Sequence, residues 1–344
     1  MAKGGVCAAV ALLLVAADAP QSYDWSTADL SYLGDAHEYR TSRALCAGVI
    51  HAVPPAADQP KRSEVAGLKG CDSEALYFGI GRSANPEKAR KCAFVEAGGK
   101  PYGGPPQPYY GNAMLAIIYA NGRGAAQDYD VALHYVCGLD NAAAETKGRV
   151  ERLAALRSRP DPRPRFDTCL DTTSGFLGGW CSAHEARVAD QRRARQIAAV
   201  AAGWSPSQRG AFERVRKSAD RYAETLHQMD CFGGTAQSQC TISGADQFMT
   251  EFTARIVALA GGQAHRIEAK AMTDRRRQER EIRALARTPD AMSADDKREY
   301  GANDRAIRAD RAAFERGLVE FARLAFPAIE SHRIRRIFPT FSKG

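Results

Sequence analysis

Apolar residues recur every three or four positions through most of this 344-residue chain. Met114, Leu115, Ile118 and Tyr119 mark one helical face, Gly122 and Gly124 supply a tight reversal, and Val131, Ala132, Leu133 and Tyr135 return as a second helix. Phe212, Val215, Ala219, Tyr222, Leu226 and Met229 keep the same period, as do Phe248, Phe252, Ile256 and Leu259 before Gly261-Gly262. A last stripe, Ile307, Phe314, Leu318, Phe321 and Ala325, stops near Pro327. Start signals agree with this spacing: Asn85-Pro86, Ser205-Pro206-x-Gln208 and Ser293-x-x-Asp296, with a charged helix over 264–287 between the last two. Alternating runs of Val, Ile and Thr do not occur. The pattern predicts an all-α fold, a short array of helical hairpins followed by a disulfide-stapled helical domain.

Polar and apolar order also sets the domain plan. Lys3 followed by the apolar run Val6 to Ala17 has the layout of a secretory signal peptide, with Val15-x-Ala17 as the cleavage pattern, so residues 1–17 are expected to be removed near Ala17. The run is shorter than the roughly 20 apolar residues a bilayer span needs, and no other segment of the mature chain qualifies. Residues 18–157 read as the hairpin array, SRPDPRPR (158–165) as a linker, 166–261 as a disulfide-stapled segment and 262–344 as a basic segment. A periplasmic or secreted location follows.

Cysteine usage fits that location. Setting Cys7 aside leaves Cys46, Cys71, Cys92, Cys137, Cys169, Cys181, Cys231 and Cys240, an even set in an exported chain. Cys181-x-x-His184 and His227-x-x-x-Cys231 have zinc-like spacings, but export favours oxidation, and neither metal nor cofactor is expected. Cys169–Cys181 and Cys231–Cys240 bracket short loops. The charge is uneven: residues 262–344 hold 19 basic and 13 acidic side chains, against near-balance elsewhere. Arg333, Arg335 and Arg336, set among Ile334, Ile337 and Phe338, are candidate anion-binding residues.

Two resemblances follow. Ala113, Ile117, Tyr119, Gly122, Gly124, Asp128, Ala132, Leu133 and Tyr135 resemble the Sel-like repeat, a relative of the tetratricopeptide repeat, and 71–94 resembles a degenerate second copy. In cysteine-rich members the end of one hairpin is often tied to the start of the next helix, which implies Cys46–Cys71. Equivalent places in stacked copies would then join Cys92 to Cys137. Residues from about 265 onward resemble the LprI-type lysozyme-inhibitor family: Phe314, Phe321 and Phe326-Pro327 fall on its aromatic stripe and ending. Arg311 stands where that family has Trp, Glu315-Arg316 reverses its Arg-Asp step, and Gly317 replaces its Ala.

Catalytic signatures are missing. His184-Glu185 is not followed by a metalloprotease spacing, Gly-x-Ser-x-Gly does not occur, and His134 and His227 lie on helices among ordinary neighbours. The expected function is therefore a non-enzymatic interaction with a protein or cell-envelope polymer, not nucleic acid. Lysozyme inhibition is the alternative implied by the second resemblance, and a cell-wall hydrolase comes third. A net positive segment would repel a cationic lysozyme.

Overall fold

Helix starts follow from capping chemistry. Asp72, Asn85 and Asp128 each turn a side-chain oxygen onto free N–H groups of the next turn at 2.8–3.0 Å. Ser205 and Gln208 bond reciprocally at 3.3 and 2.7 Å, with Pro206 opening the helix. The structure is a computed structural model describing residues 23–33, 36–98, 107–159, 165–231, 234–273 and 294–338. The signal-peptide segment, linker positions 160–164 and most of the charged run after 273 lie outside the described residues.

The helices are α1 (Arg40–Gly48), α2 (Arg62–Val65), α3 (Ser73–Phe78), α4 (Pro86–Glu96), α5 (Asn112–Asn121), α6 (Tyr129–Cys137), α7 (Ala143–Ser158), α8 (Gly175–Ala201), α9 (Pro206–Asp230), α10 (Gln237–Ala260), α11 (264–273 as described), α12 (Ala294–Ala325) and α13 (Ser331–Ile337). No strand occurs among the described residues. The protein is all-α and disulfide-stapled.

Hairpins α3–α4 and α5–α6 stack in sequence order, and α7 and α1 close the far side. α5 is apolar on every side because it lies between α4 and α6, and residues 112–120 are all buried. Gly122 (φ 60°) caps α5 in the left-handed conformation. Gly124 (φ 96°) lies so close to Pro86 that a Cβ would sit 2.5 Å from its carbonyl oxygen. The first core holds Leu76, Cys92, Met114, Ile118, Leu133, Val136, Val150 and Leu153.

A second core is made by α9, α10, α12 and α13. Phe212, Val215, Tyr222, Phe248, Phe252, Phe314, Phe321, Ile334 and Phe338 meet there, with Tyr222 and Phe314 stacked at 5.9 Å. The charge step that separates 166–261 from 262–344 in the sequence is thus spanned by one core in the structure.

All eight cysteines of the described chain are bridged. Cys169–Cys181 and Cys231–Cys240 pair across their short loops. The other two pairs correct the expectation of Cys46–Cys71 and Cys92–Cys137: the bonds are Cys46–Cys137 and Cys71–Cys92. The reason is where α1 docks. Trp25 N–H donates to the Cys137 carbonyl at 2.9 Å, and the His134 ring donates to the Val49 carbonyl at 3.1 Å. These contacts carry Cys46 onto the end of α6, while Cys71 staples its own hairpin.

Candidate functional site

One face of α12 packs the second core through Phe314, Leu318, Phe321 and Ala322. The adjoining face places Ala312, Glu315, Arg316, Val319, Glu320, Arg323 and Leu324 at three- and four-residue steps. Together with Arg335 of α13 they line an open groove of about 600 Å³. From 312 to 324 the groove runs about 18 Å along the helix, at 1.5 Å per residue. Leu324, 42 % exposed, is an apolar part of its lining.

The electrostatics are lopsided. Glu315 accepts from Arg311 at 2.9 Å, and Glu320 accepts from Arg214 at 2.6 Å, so arginines outside the lining already neutralise both carboxylates. Among the described residues, Arg316, Arg323 and Arg335 make no ion pair or side-chain hydrogen bond. Three exposed guanidinium groups thus surround a concave surface with no counter-charge of their own.

The candidate strip at Arg333, Arg335 and Arg336 is not held together. Arg333 and Arg336 face Glu268 of α11 at 3.0 and 3.6 Å. The hydrogen bond from Arg333 holds the Glu268 carboxyl below its ordinary range, with Arg336 adding to the effect. Arg335 alone enters the groove. Arg316 and Arg323 escaped the sequence reading, although their seven-residue spacing beside Val319 was a legible stripe.

A second polar cluster joins α8 to the first hairpins. His184 donates from Nδ1 to Glu74 at 2.5 Å, and Arg187 donates to both oxygens of the same carboxylate at 2.5 and 2.6 Å. Tyr109 stacks on the imidazole at 3.7 Å, Phe78 meets it edge-on at 4.3 Å, and the Tyr109 hydroxyl donates to Asp167 at 2.8 Å. Burial opposes the Glu74 charge, but the bonds from His184 and Arg187 outweigh it and hold the carboxyl below its ordinary value. The imidazole is enclosed between rings and lines neither this groove nor the smaller one beside Phe176 and Trp180. It works as a clamp.

Among the described residues every cysteine sulfur is in a disulfide. Cys181 and Cys231, the thiols of the two zinc-like spacings, are both in disulfides. Among the described residues, Cys71, Cys92 and Glu96 lie close enough for a metal, but the sulfurs bond each other. The Glu96 carboxylate takes Ser73 N–H, Ser73 O–H and Gly111 N–H at 2.5–2.9 Å. Among the described residues no helix is long and apolar enough to cross a membrane. No family model, curated protein or solved structure matches the chain.

Proposed function

We propose that the chain is an extracytoplasmic, non-enzymatic interaction protein that holds an anionic partner in the α12–α13 groove. The observation that carries this reading is the set of three arginines, Arg316, Arg323 and Arg335, without an ion pair among the described residues, around a groove whose own carboxylates are already paired. Four disulfides support an oxidising compartment outside the cytoplasm. Export would follow the signal peptide over 1–17. The stacked hairpins α3–α4 and α5–α6 offer a second helical surface. The groove gives no support to lysozyme as partner, because three uncompensated arginines repel a cationic protein.

Retention on immobilised poly-glutamate in rising salt tests the reading. The wild type should elute late, and a variant with Arg316, Arg323 and Arg335 changed to Gln should elute early. Removing the same charge at Arg40, Arg62 and Arg82, exposed residues on the other unit, should change retention little. Equal elution of wild type and groove variant would defeat the proposal.

A further inference from the structure

We infer that the occupant of the α12–α13 groove is an acidic amphipathic helix of a partner protein. The inference rests on the proposed function and names the chemistry of its partner. Its first ground is shape. The lining residues form a continuous stripe along α12 over about 18 Å, the length of a helix of roughly three turns, whereas one small anion would occupy only one end. The second ground is the pairing of charge with an apolar lining. Arg316 and Arg323 stand seven residues and about 10 Å apart, matching carboxylates seven residues apart on a facing helix. The same lining holds Ala312, Val319 and Leu324, which offer contact to apolar side chains. A phosphate- or carboxylate-bearing polymer would satisfy the arginines but leave that apolar lining wet. A helix with a leucine stripe flanked by Asp or Glu satisfies both.

A second copy of this chain is the wrong occupant by charge. The formal net charge is +8 at pH 7, and α12 itself presents uncompensated arginines at this face. Like-signed surfaces brought together would suppress encounter.

The test uses the full disulfide-bonded chain and a labelled synthetic peptide read by fluorescence anisotropy. The peptide is a helix carrying a Leu stripe flanked by Glu at seven-residue spacing, and its control has the same composition in scrambled order. The ordered peptide should bind at least about tenfold more tightly than the control, and Leu324→Ser should cost about tenfold, the worth of roughly 1.4 kcal/mol. The Arg316, Arg323 and Arg335 to Gln variant should lose both peptides, with its helical circular dichroism unchanged. Equal binding of ordered and scrambled peptides, or an unaltered affinity in Leu324→Ser, would overturn the inference. If poly-glutamate retention survived in that case, the groove would read charge alone and the proposed function would stand. Loss of groove-dependent retention as well would remove both.

Discussion

His134 shows how little a single position discloses before its neighbours are known. In the sequence it sits near the end of an amphipathic helix. In the structure it is buried, 4 % exposed, with Nδ1–H donated to the Val49 carbonyl across the first core. Burial holds its pKa below the ordinary 6.5. In the unfolded chain the imidazole gains its proton near 6.5, whereas the folded protein resists protonation until lower pH. Stability from this group is therefore complete above 6.5 and drains away as pH falls toward the folded value. Glu74, lowered from 4.5, adds a second loss once pH drops below that value. The melting temperature should fall from neutral pH toward pH 5, and His134→Gln, whose amide can still donate to Val49, should flatten that part of the profile. An unchanged slope in the variant would show that His134 is not the titrating group. The arginines carry the same lesson. Arg333, Arg335 and Arg336 look equivalent in sequence, yet a carboxylate on another helix claims two of them.

Elements were the most legible scale. Asn85, Asp128 and Ser205 cap the helices their sequence context implies, and the apolar stripes of α9, α10 and α12 meet in one core. Legibility ended where docking is set by long-range contacts. The partner of Cys46 depends on α1 lying across α6 and α7, which local spacing does not encode. Two glycines test how the elements pack. At Gly124 an alanine would combine a left-handed φ of 96° with a Cβ 2.5 Å from the Pro86 carbonyl oxygen. Gly124→Ala should cost about 1–3 kcal/mol. Gly317 lies within α12, where a Cβ would meet Ser218 and Val215 at ordinary distances of 3.5–3.6 Å. Gly317→Ala should therefore stabilise by about 0.5–1 kcal/mol through helix propensity alone. Denaturant melts of the two variants should move in opposite directions. A destabilised Gly317→Ala would mean that α12 and α9 pack too tightly for the added methyl.

The all-α class was readable for the whole molecule because the 3.6-residue period runs almost throughout. Prolines in SRPDPRPR mark where helix cannot continue and say nothing of where the chain goes next. Beyond the linker it returns to the first core: Phe166 is buried there, and its backbone exchanges hydrogen bonds with the Asn121 amide at 2.8 Å in both directions. Buried Glu145 of α7 accepts Thr173 N–H at 2.9 Å and Ser174 N–H at 2.8 Å, at the start of α8. Its neighbour Arg149 donates to the Thr168 carbonyl at 2.7 Å. Further along α8, Glu74 holds His184 and Arg187, and Gln191 donates to the Gly79 carbonyl. Contacts between the first hairpins and the chain beyond the linker thus run along the 166–191 stretch, and among the described residues no disulfide crosses a cut at 160–164. Hydrogen bonds to a charged group are worth about 1.5–3 kcal/mol each, so several acting together, with Phe166 buried in the first core, are expected to hold a severed chain together. With a protease site placed within 160–164, the nicked protein should elute from a sizing column at the position of the intact chain and resolve into two pieces only in denaturant. Changing Glu145 and Glu74 together to Ala should let the pieces separate at lower denaturant, because the carboxylate bonds to Thr173, Ser174, His184 and Arg187 are lost while the Asn121–Phe166 contact remains. Separation of the unsubstituted nicked protein would show that the linker is the true boundary and that the contacts along α8 are incidental.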